Sequence, residues 1–447
     1  MNKQNLYKIG LSTAIAVVVA NMVGTGVFTS LGYQVIDLKY GFTIVMLWVV
    51  GGMLALFGSF AYGELGASLP RNGGEYNFLS RIYHPLLGFL AGWVSIMIGF
   101  AAPIAAAALA MGDYSIGMLG GEDPNQIKEK IIAISVSIII SAIHLQNLRA
   151  ISRFQKFFTI FKIILIIVLI ILGFALTDGS QISFAPTKQS INDMFTMAFA
   201  GSLVWVMLAY SGWNAAAYIV DDMKNPGKNL PKSLFIGTAL VAVLYVLLNM
   251  MFLYVAPIQE LVLQKDVGNI AAQNIFGHTG AAIVSGLIAF ALISAISSMI
   301  WAGPRVSAAI GEDMHLFKFL NTRNKNKVPY IAILFQLGLI IPMILFVSFG
   351  DLIEFTSVLL SVFSFLAVLG VFVLRIREPK LKRPYKAWGY PVTPAIYLIL
   401  TGWMIVFFLK MKPGILLAIL LTLIAGAVVY YISFKLNKRI NNSTNKS

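Results

Sequence analysis

The sequence predicts an all-α polytopic membrane protein with about 12 transmembrane helices. Hydrophobic residues make up 58% of the 447 residues, only 11% are charged, and the mean hydropathy is +0.83. A soluble domain usually has about a quarter of its residues charged. Apolar runs of roughly 20 residues, the length that crosses a hydrocarbon core of about 30 Å, recur along the whole chain. These observations exclude a soluble domain with a single membrane anchor.

Twelve apolar runs are long enough to be predicted as membrane spans. They cover residues 9–33, 41–69, 84–112, 129–147, 152–176, 192–220, 233–256, 279–311, 329–348, 352–375, 392–410 and 413–434. The connections between them are short, and no linker separates a soluble domain. We therefore predict one transmembrane transporter domain over residues 1–447.

The distribution of lysine and arginine predicts the orientation of the spans. With the N-terminus inside, the cytoplasmic segments carry more than three times as many of these residues as the external ones. This excess predicts that both termini are cytoplasmic. The basic and aromatic connection at 375–394 is expected to lie on acidic lipid headgroups, so membrane lipids are predicted partners. The net charge of +15 thus reflects topology, and no nucleic-acid partner is predicted.

Cysteine and histidine usage excludes several kinds of chemistry. The chain contains no cysteine, which excludes a disulfide-linked partner, cysteine zinc sites and cysteine nucleophiles. The four histidines fall at span ends or in loops and are expected to be unpaired; they are His84, His144, His278 and His315. We therefore predict no metal site, no acid–base dyad and no cofactor.

Two predicted spans are interrupted by glycine at similar depths. The first span contains Gly24-Thr25-Gly26, and the sixth contains Ser211-Gly212 within LAYSGWN. A single glycine in a membrane helix more often serves close packing. Interrupted segments at corresponding positions of two halves instead indicate an inverted-repeat transporter with its substrate site at the midplane. Unwound backbone at that depth is tolerated only where it lines a cavity, so the breaks predict the binding site.

The backbone groups freed at the breaks predict the chemistry of the substrate. The half-helix that follows Gly26 offers N–H groups and a positive dipole end to a carboxylate. Carbonyl groups at the ends of the preceding half-helices can accept hydrogen bonds from an ammonium group. An α-amino acid carries both groups side by side. We therefore predict an α-amino acid substrate that is recognised largely by backbone.

Lys162 is the one charged residue predicted at mid-depth. It lies about ten residues into the fifth span, or roughly 15 Å from its start. An ionisable residue there costs several kcal/mol and is functional by default. The alternative is a structural ammonium satisfied by carbonyls and hydroxyls of neighbouring helices, and the two roles are compatible. A buried lysine can also lose its proton, so protons are a candidate partner.

Five stretches carry a resemblance to a known family. They are VGTGVF (23–28), AYGELGASLPRNGGEYNFLSRIYHPLLGFLAGW (61–93), LAYSGWNAAAYIVDDMKNPGKNLPKSL (208–234), AGPRVSAAIGEDMHLFKFL (302–320) and KRPYKAWGYPVTP (382–394). In both halves of the chain they resemble the amino acid–polyamine–organocation (APC) superfamily of permeases, with L-type amino acid transporters and their bacterial relatives nearest. The resemblance implies a LeuT-like five-plus-five inverted repeat with helices 1 and 6 broken. The first repeat would cover residues 9–176, the second 192–375, and helices 11–12 would occupy 392–434.

The resemblance also implies a substrate site, residue by residue. The carboxylate would meet amides around Thr25 and Gly26, and the amino group would meet carbonyls near Val23 and from Leu208 to Ser211. The implied substrate-binding residues are Val23, Gly24, Thr25, Gly26, Ile98, Gly99, Pro103, Leu208, Ala209, Tyr210, Ser211 and Trp213.

A coupling and gating group is implied in the same way. Lys162 matches the fifth-helix lysine that occupies, in sodium-independent members, the region where sodium-coupled relatives hold a cation. It would contact the carbonyl near Ala20 and the hydroxyl of Ser297 or Ser298. A lysine that stays charged suits exchange, whereas one that loses its proton suits proton symport, and both remain open.

The sequence departs from the family pattern in ways that bear on substrate choice. Leu208 stands where the family often has a large aromatic residue, which puts the usual aromatic gate in doubt. Ser211 stands where many family members have glycine. No acid is expected at mid-depth, which argues against arginine or lysine as substrate. The cysteine that tethers the animal heterodimeric members to a partner is absent.

The sequence thus predicts a secondary active transporter of neutral L-amino acids that works by sodium-independent alternating access. Nothing resembles a P-loop, so ATP-driven pumping is unsupported. Cationic amino acid or polyamine transport on the same scaffold is the alternative. An integral-membrane enzyme would need a cluster of His, Asp or Glu near one membrane interface. A sensor derived from a transporter would need an added soluble domain or a long tail. Neither feature is expected here, so we predict that the protein is not an enzyme. We expect it to reside in a cell (plasma) membrane, namely a bacterial inner membrane.

Overall fold

The computed structural model describes residues 7–119, 125–179, 182–264, 266–347 and 349–444. Within these ranges the regular structure is helical, and the one extended contact is an isolated bridge between Ile9 and Met223. The prediction of an all-α polytopic membrane protein is confirmed.

In the first half of the chain, the described residues form eight α-helices. They are α1 (Leu11–Met22), α2 (Gly26–Gln34), α3 (Gly41–Ser68), α4 (Glu75–Ile82), α5 (Pro85–Val94), α6 (Ala101–Met118), α7 (Ile127–His144) and α8 (Leu148–Leu176). A π-helical turn, Ser95–Gly99, joins α5 to α6 within a single span.

The described residues of the second half form nine more. They are α9 (Lys188–Asp193), α10 (Met197–Ala209), α11 (Pro226–Val255), α12 (Ile258–Leu261), α13 (Val267–Asp313), α14 (Tyr330–Phe346), α15 (Phe349–Arg377), α16 (Val392–Met411) and α17 (Pro413–Thr444). Two 3₁₀ segments, Ala215–Asp222 and His315–Asn321, follow α10 and α13. Within α13 the helical geometry is broken at Gly277, where φ is 71°, close to the predicted start of the eighth span.

Each of the twelve predicted spans overlaps a helix of the structure. In the described part of the chain, nine segments are long and apolar enough to cross a membrane, and α10 and α14 are shorter apolar helices. The remaining span, α7, begins with Lys128, Glu129 and Lys130, and these three charges lower its apolar character.

The two predicted interruptions are present in the structure. α1 ends at Met22 and α2 begins at Gly26, while α10 ends at Ala209 before the 3₁₀ segment. The breaks touch: a Cβ placed on Gly26 would lie 2.8 Å from the Cα of Ala209, closer than real Cβ atoms approach. A side chain at Gly212, whose φ is 90°, would meet the Oδ1 of Asn21 at 2.4 Å. The inverted repeats over 9–176 and 192–375 remain a prediction.

Candidate substrate site

A cavity of about 130 Å³ lies where the two breaks meet. Many of the predicted binding residues line it. They are Gly24, Thr25 and Gly26 at the first break, Gly99 in the π-helical turn, Pro103 in α6, and Leu208, Ala209, Ser211 and Trp213 at the second break. The structure therefore brings together, around one cavity, residues that lie far apart in the sequence.

Three predicted binding residues are not part of the cavity wall. Tyr210 is fully buried, and its hydroxyl donates a hydrogen bond to the Trp48 carbonyl (3.0 Å), which directs the ring away from the cavity. Ile98 lies in the π-helical turn, whose wider geometry changes which residues face inward. Val23 is fully buried, and its carbonyl has a protein partner. These placements correct the predicted lining.

The start of α2 supplies hydrogen-bond donors to the cavity. The first N–H groups of a helix have no partner within it, and here they belong to Gly26 and Val27, because the Phe28 N–H donates to the Thr25 carbonyl (2.9 Å). Thr25 and Gly26 both line the cavity. The same helix end carries the positive end of the helix dipole, because the peptide dipoles of α2 point toward it. This geometry can bind a carboxylate.

Some of the carbonyl groups at the breaks are already bonded within the protein. The Tyr245 hydroxyl on α11 donates to the Met22 carbonyl (2.7 Å) and lies 3.2 Å from the Ala209 carbonyl, so one phenol bridges both breaks. The Lys162 ammonium donates to the Val23 carbonyl. An ammonium group of a substrate at the same carbonyl would bring two like charges together, so that group is not open in this structure.

Lys162 lies beside the first break but outside the cavity wall. Its side chain is only 1% exposed. α8 is held along α1 by a hydrogen bond between the hydroxyls of Thr13 and Ser152 (2.8 Å) and by one from Thr159 to the Ala16 carbonyl (3.2 Å). The predicted contact with the carbonyl near Ala20 is wrong, because the side chain extends to the unwound segment, where the Val23 carbonyl is freed from the helix.

The two serines predicted as partners of Lys162 bond elsewhere. The Ser298 hydroxyl accepts from Asn21 Nδ2 (2.8 Å) and donates to the Val17 carbonyl (3.2 Å), which ties α13 to α1. The Ser297 hydroxyl lies 2.9 Å from His144 Nε2. The expectation that His144 is unpaired is therefore wrong: it ends α7 and is fully buried against α13.

Glu75 is a cavity-lining acid that the sequence analysis missed. It is only 5% exposed. Its Oε1 accepts hydrogen bonds from the Tyr62 hydroxyl (2.6 Å) and from Asn214 Nδ2 (2.7 Å). Within the described residues its Oε2 has no hydrogen-bond partner. The sequence analysis expected no acid at mid-depth, and Glu75 reaches the cavity wall from the start of α4 instead.

The backbone before Glu75 explains why it was missed. The sequence places this residue in a connection between spans, where an acid is ordinarily solvated. In the structure Gly73 and Gly74 have φ values of 112° and 53°, and these turn the chain back toward the bundle before α4 begins. The only indication in the sequence was the pair of glycines directly before Glu75, since such a pair can form a sharp turn.

The rest of the cavity wall is scattered over several elements. Further polar lining residues are Asn21, Ser95, Asn214, Tyr218, Thr356, Ser357, Ser361, Ser364 and Tyr397. No local motif joins them, so their placement follows only from the packing of the helices. In the described residues, no group of three or more His, Asp or Glu could hold a metal ion.

A polar network connects the chain before α4 with the end of α13. Arg71 forms ion pairs with Asp313 (2.9 Å) and Glu312 (3.2 Å), and the Tyr76 hydroxyl donates to Asp313 (2.5 Å). Burial and the hydrogen bond to Asp313 raise the pKa of Tyr76. Burial alone would lower the pKa of Arg71, but its hydrogen bonds to the two acids raise it above the ordinary value. All these groups lie on the predicted cytoplasmic side.

Other buried charges on that side are also paired. Arg305 forms an ion pair with Asp222 (3.0 Å), and Trp301 Nε1 donates to the same carboxylate (3.1 Å). Glu64, which is 1% exposed, pairs with Arg375 (2.6 Å) and Arg383 (3.3 Å).

Comparison with known proteins gives a consistent result. The sequence profile described as "Amino acid permease" matches residues 9–436. The chain is 29% identical to the serine/threonine exchanger SteT of Bacillus subtilis (strain 168), over 95% of this chain and 96% of that protein. It is 27% identical to the large neutral amino acids transporter small subunit 2 of Oryctolagus cuniculus (95% and 80% covered). It is 26% identical to the b(0,+)-type amino acid transporter 1 of Homo sapiens (95% and 87%).

Proposed function

Because the chain belongs to the amino acid permease family, we propose that it is a secondary transporter of neutral L-amino acids. Membership confirms the resemblance predicted from the motifs. One relative is named for the exchange of serine and threonine, and another for the transport of large neutral amino acids. The family and these relatives are transporters, which supports transport rather than catalysis as the activity.

The observation that carries this proposal is the cavity between the two breaks. Thr25 and Gly26 line it at the positive end of α2, which suits the carboxylate of the substrate. The backbone of Ser211 lies on the opposite break and suits its ammonium group. Leu208 and Pro103 provide apolar wall for an uncharged side chain. The predicted substrate-binding roles of these residues are part of the proposal.

Lys162 supports transport without sodium. Its ammonium group sits on a carbonyl of the first break, in a fully buried position. A second cation next to it would be repelled in a medium of low dielectric constant. We propose that this lysine holds the unwound segment in place and serves as a built-in cation.

The network around Arg71 supports alternating access. It joins the chain before α4 to the end of α13, and the Arg305–Asp222 pair joins α13 to the 3₁₀ segment after the second break. With both termini cytoplasmic, these contacts lie between the cavity and the cytoplasm. We propose that they form the inner gate, closed in this conformation, and that they separate when substrate leaves to the cytoplasm.

We place the protein in a bacterial inner membrane, with both termini cytoplasmic. Lys382 and Lys386 in the connection before α16 are exposed, as an interaction with acidic lipid headgroups requires. Lys162, Ser297 and Ser298 keep the proposed coupling and gating role, although their contacts differ from those predicted.

Counterflow in proteoliposomes tests the proposed function. Purified protein is reconstituted, and uptake of labelled L-serine, L-threonine and L-leucine is measured with and without the same amino acid inside. We expect uptake that depends on internal substrate and is unchanged when choline replaces sodium. Protein-free liposomes are the control. Absence of counterflow for all three amino acids would contradict the proposal, and loss of uptake in choline would contradict sodium independence.

Glu75 favours a second candidate, the transport of cationic amino acids. A carboxylate on the cavity wall can pair with an ammonium or guanidinium side chain. Labelled L-lysine and L-arginine belong in the same experiment. Counterflow of these two without counterflow of the neutral amino acids would select this second function.

A further inference from the structure

A second cavity, of about 820 Å³, is separate from the substrate cavity and shares no lining residue with it. Its volume falls within the range of roughly 300–1,000 Å³ that is typical of small-molecule sites. It lies between α3, the beginning of α11 and the connection before α16. The lining residues that matter for its chemistry are Phe60, Lys228, Lys232, Phe235, Tyr385 and Trp388.

The wall that the connection before α16 contributes is held in place by Glu64 on α3. This buried carboxylate accepts hydrogen bonds from Arg375 Nη2 (2.6 Å) and from the backbone N–H of Ala387 (2.6 Å). Trp388, the next residue, packs edge-on against Phe60, with ring centroids 5.7 Å apart and an interplanar angle of 87°. The cavity is therefore bounded by a connection that is fixed to α3.

Two lysines give this cavity an uncompensated positive charge. Lys228 and Lys232 are four residues apart on α11, so they lie on the same face of the helix, and both are exposed. None of the ion pairs in the described part of the chain includes either lysine. The described residues that line the cavity include no Asp or Glu. The complementary ligand is therefore an anion.

The charged and apolar groups of the cavity lie at different depths. At 1.5 Å per residue, Lys228 and Lys232 are about 3 and 9 Å from the start of α11, on the predicted cytoplasmic side, and Phe235 is about 14 Å from it. Phe235 is 45% exposed and Trp388 is 71% exposed. Outward-facing apolar side chains are ordinary on a membrane helix, but here they border a cavity beside two free ammonium groups. A phospholipid has the same order, with its phosphate at the interface and its acyl chains deeper.

From this arrangement we propose that the second cavity binds one anionic phospholipid. Its phosphate accepts hydrogen bonds from the ammonium groups of Lys228 and Lys232, and its acyl chains pack against Phe60, Phe235 and Trp388. Basic pockets between membrane helices on the cytoplasmic side suit such headgroups. The site differs from the general attraction of the basic connection to lipid, because Lys382 and Lys386 do not line the cavity. It does not depend on the proposed transport activity.

The test measures lipid binding by the purified full chain in a non-ionic detergent. Wild type, the double variant Lys228→Gln/Lys232→Gln and the control double variant Lys382→Gln/Lys386→Gln are titrated with dioleoyl phosphatidylglycerol or dioleoyl phosphatidylcholine. Native mass spectrometry counts the bound lipids. Each double variant loses two exposed lysines, so the two have the same net charge.

We expect wild type and the control variant to bind phosphatidylglycerol at least about tenfold more tightly than phosphatidylcholine. Lys228→Gln/Lys232→Gln should bind phosphatidylglycerol about 10- to 30-fold more weakly than wild type, because each lysine near the membrane surface attracts the anionic headgroup. Its affinity for phosphatidylcholine should change little.

Fluorescence quenching locates the lipid. Phosphatidylglycerol with brominated acyl chains should quench the tryptophan fluorescence of wild type in a saturable way. Trp388→Phe should lose most of this quenching, since bromine quenches an indole only at short range. Trp403→Phe on α16 is the matched control and should keep it, because Trp403 does not line the cavity. Saturable quenching at the wild-type level in Trp388→Phe would contradict the proposed location.

Several other outcomes would overturn the lipid site. Equal affinity of wild type for the two lipids removes the role of the anionic headgroup, and equal weakening in both double variants reduces it to diffuse attraction by a basic surface. Displacement of phosphatidylglycerol by an equal concentration of inorganic phosphate assigns the lysines to a free anion. A wild-type dimer that Lys228→Gln/Lys232→Gln dissociates assigns this face to a second copy of the chain. Absence of counterflow in wild type overturns the proposed function but leaves the lipid site intact.

Discussion

Lys162 and Glu75 are both buried ionisable residues near the breaks, but their surroundings differ. The ammonium group of Lys162 donates to a backbone carbonyl, and its side chain is away from the cavity. Glu75 has one bonded oxygen and one that has no hydrogen-bond partner among the described residues, and it lines the cavity next to the proposed inner gate. The comparison shows that burial alone does not define a role. A charge satisfied by backbone holds a conformation, whereas one left unsatisfied at a cavity is available for a ligand.

The largest expected effect comes from removing the charge beside the first break. Lys162→Ala should reduce counterflow by about 10- to 100-fold, because a hydrogen bond from a charged group contributes roughly 1.5–3 kcal/mol. The protein should remain folded and monodisperse in detergent. Lys156→Ala, on the same helix nearer the predicted cytoplasmic end, is the matched control and should transport normally. Unimpaired counterflow in Lys162→Ala would contradict the role of the Lys162 ammonium group in holding the first break.

A smaller effect is expected at the phenol that bridges the breaks. Tyr245→Phe removes the hydrogen bond to the Met22 carbonyl and the 3.2 Å contact with the Ala209 carbonyl, and it should lower counterflow by about 2- to 10-fold, since one such bond contributes roughly 0.5–1.5 kcal/mol. Tyr254→Phe on the same helix is the control, because its hydroxyl makes only a 3.4 Å contact with the Thr177 carbonyl. Equal rates in both variants would show that the bridge does not hold the breaks together.

The smallest effect is expected at the proposed inner gate. The Arg71 ion pairs are partly exposed, with side-chain exposures between 35% and 41%, and such pairs contribute about 0–1 kcal/mol. Arg71→Gln should therefore raise the inward-open population by no more than about fivefold.

Thiol labelling measures that change directly. The chain has no cysteine, so Ser361→Cys on the cavity wall introduces a single thiol. In inside-out vesicles, a membrane-impermeant maleimide should label it faster when Arg71→Gln is present. Arg153→Gln, an exposed arginine on α8, is the control. Unchanged labelling would show that the network around Arg71 is not part of the inner gate.

The breaks and Lys162 could be predicted from sequence because their signals are local. Glycines inside apolar runs and a lone charge at mid-depth are visible without knowing how the chain packs. The contacts of Lys162 could not be predicted, since which carbonyl is freed depends on where α1 ends, at Met22. Ile98 was misplaced because a π-helical turn changes the direction of side chains without a clear mark in the sequence. Glu75 was missed because its position depends on two positive φ angles in a connection between helices.

The central claim is that the touching breaks form the substrate site, and equilibrium binding to Gly26→Val tests it most directly. A valine there would collide with the backbone of Ala209, because even a Cβ would lie 2.8 Å from its Cα. Gly338→Val on α14 is the matched control, since no atom lies within 4 Å of its Cβ position. We predict saturable binding of labelled L-serine or L-leucine by wild type and Gly338→Val, and its loss in monodisperse, helical Gly26→Val. Binding by Gly26→Val with wild-type affinity would contradict the account.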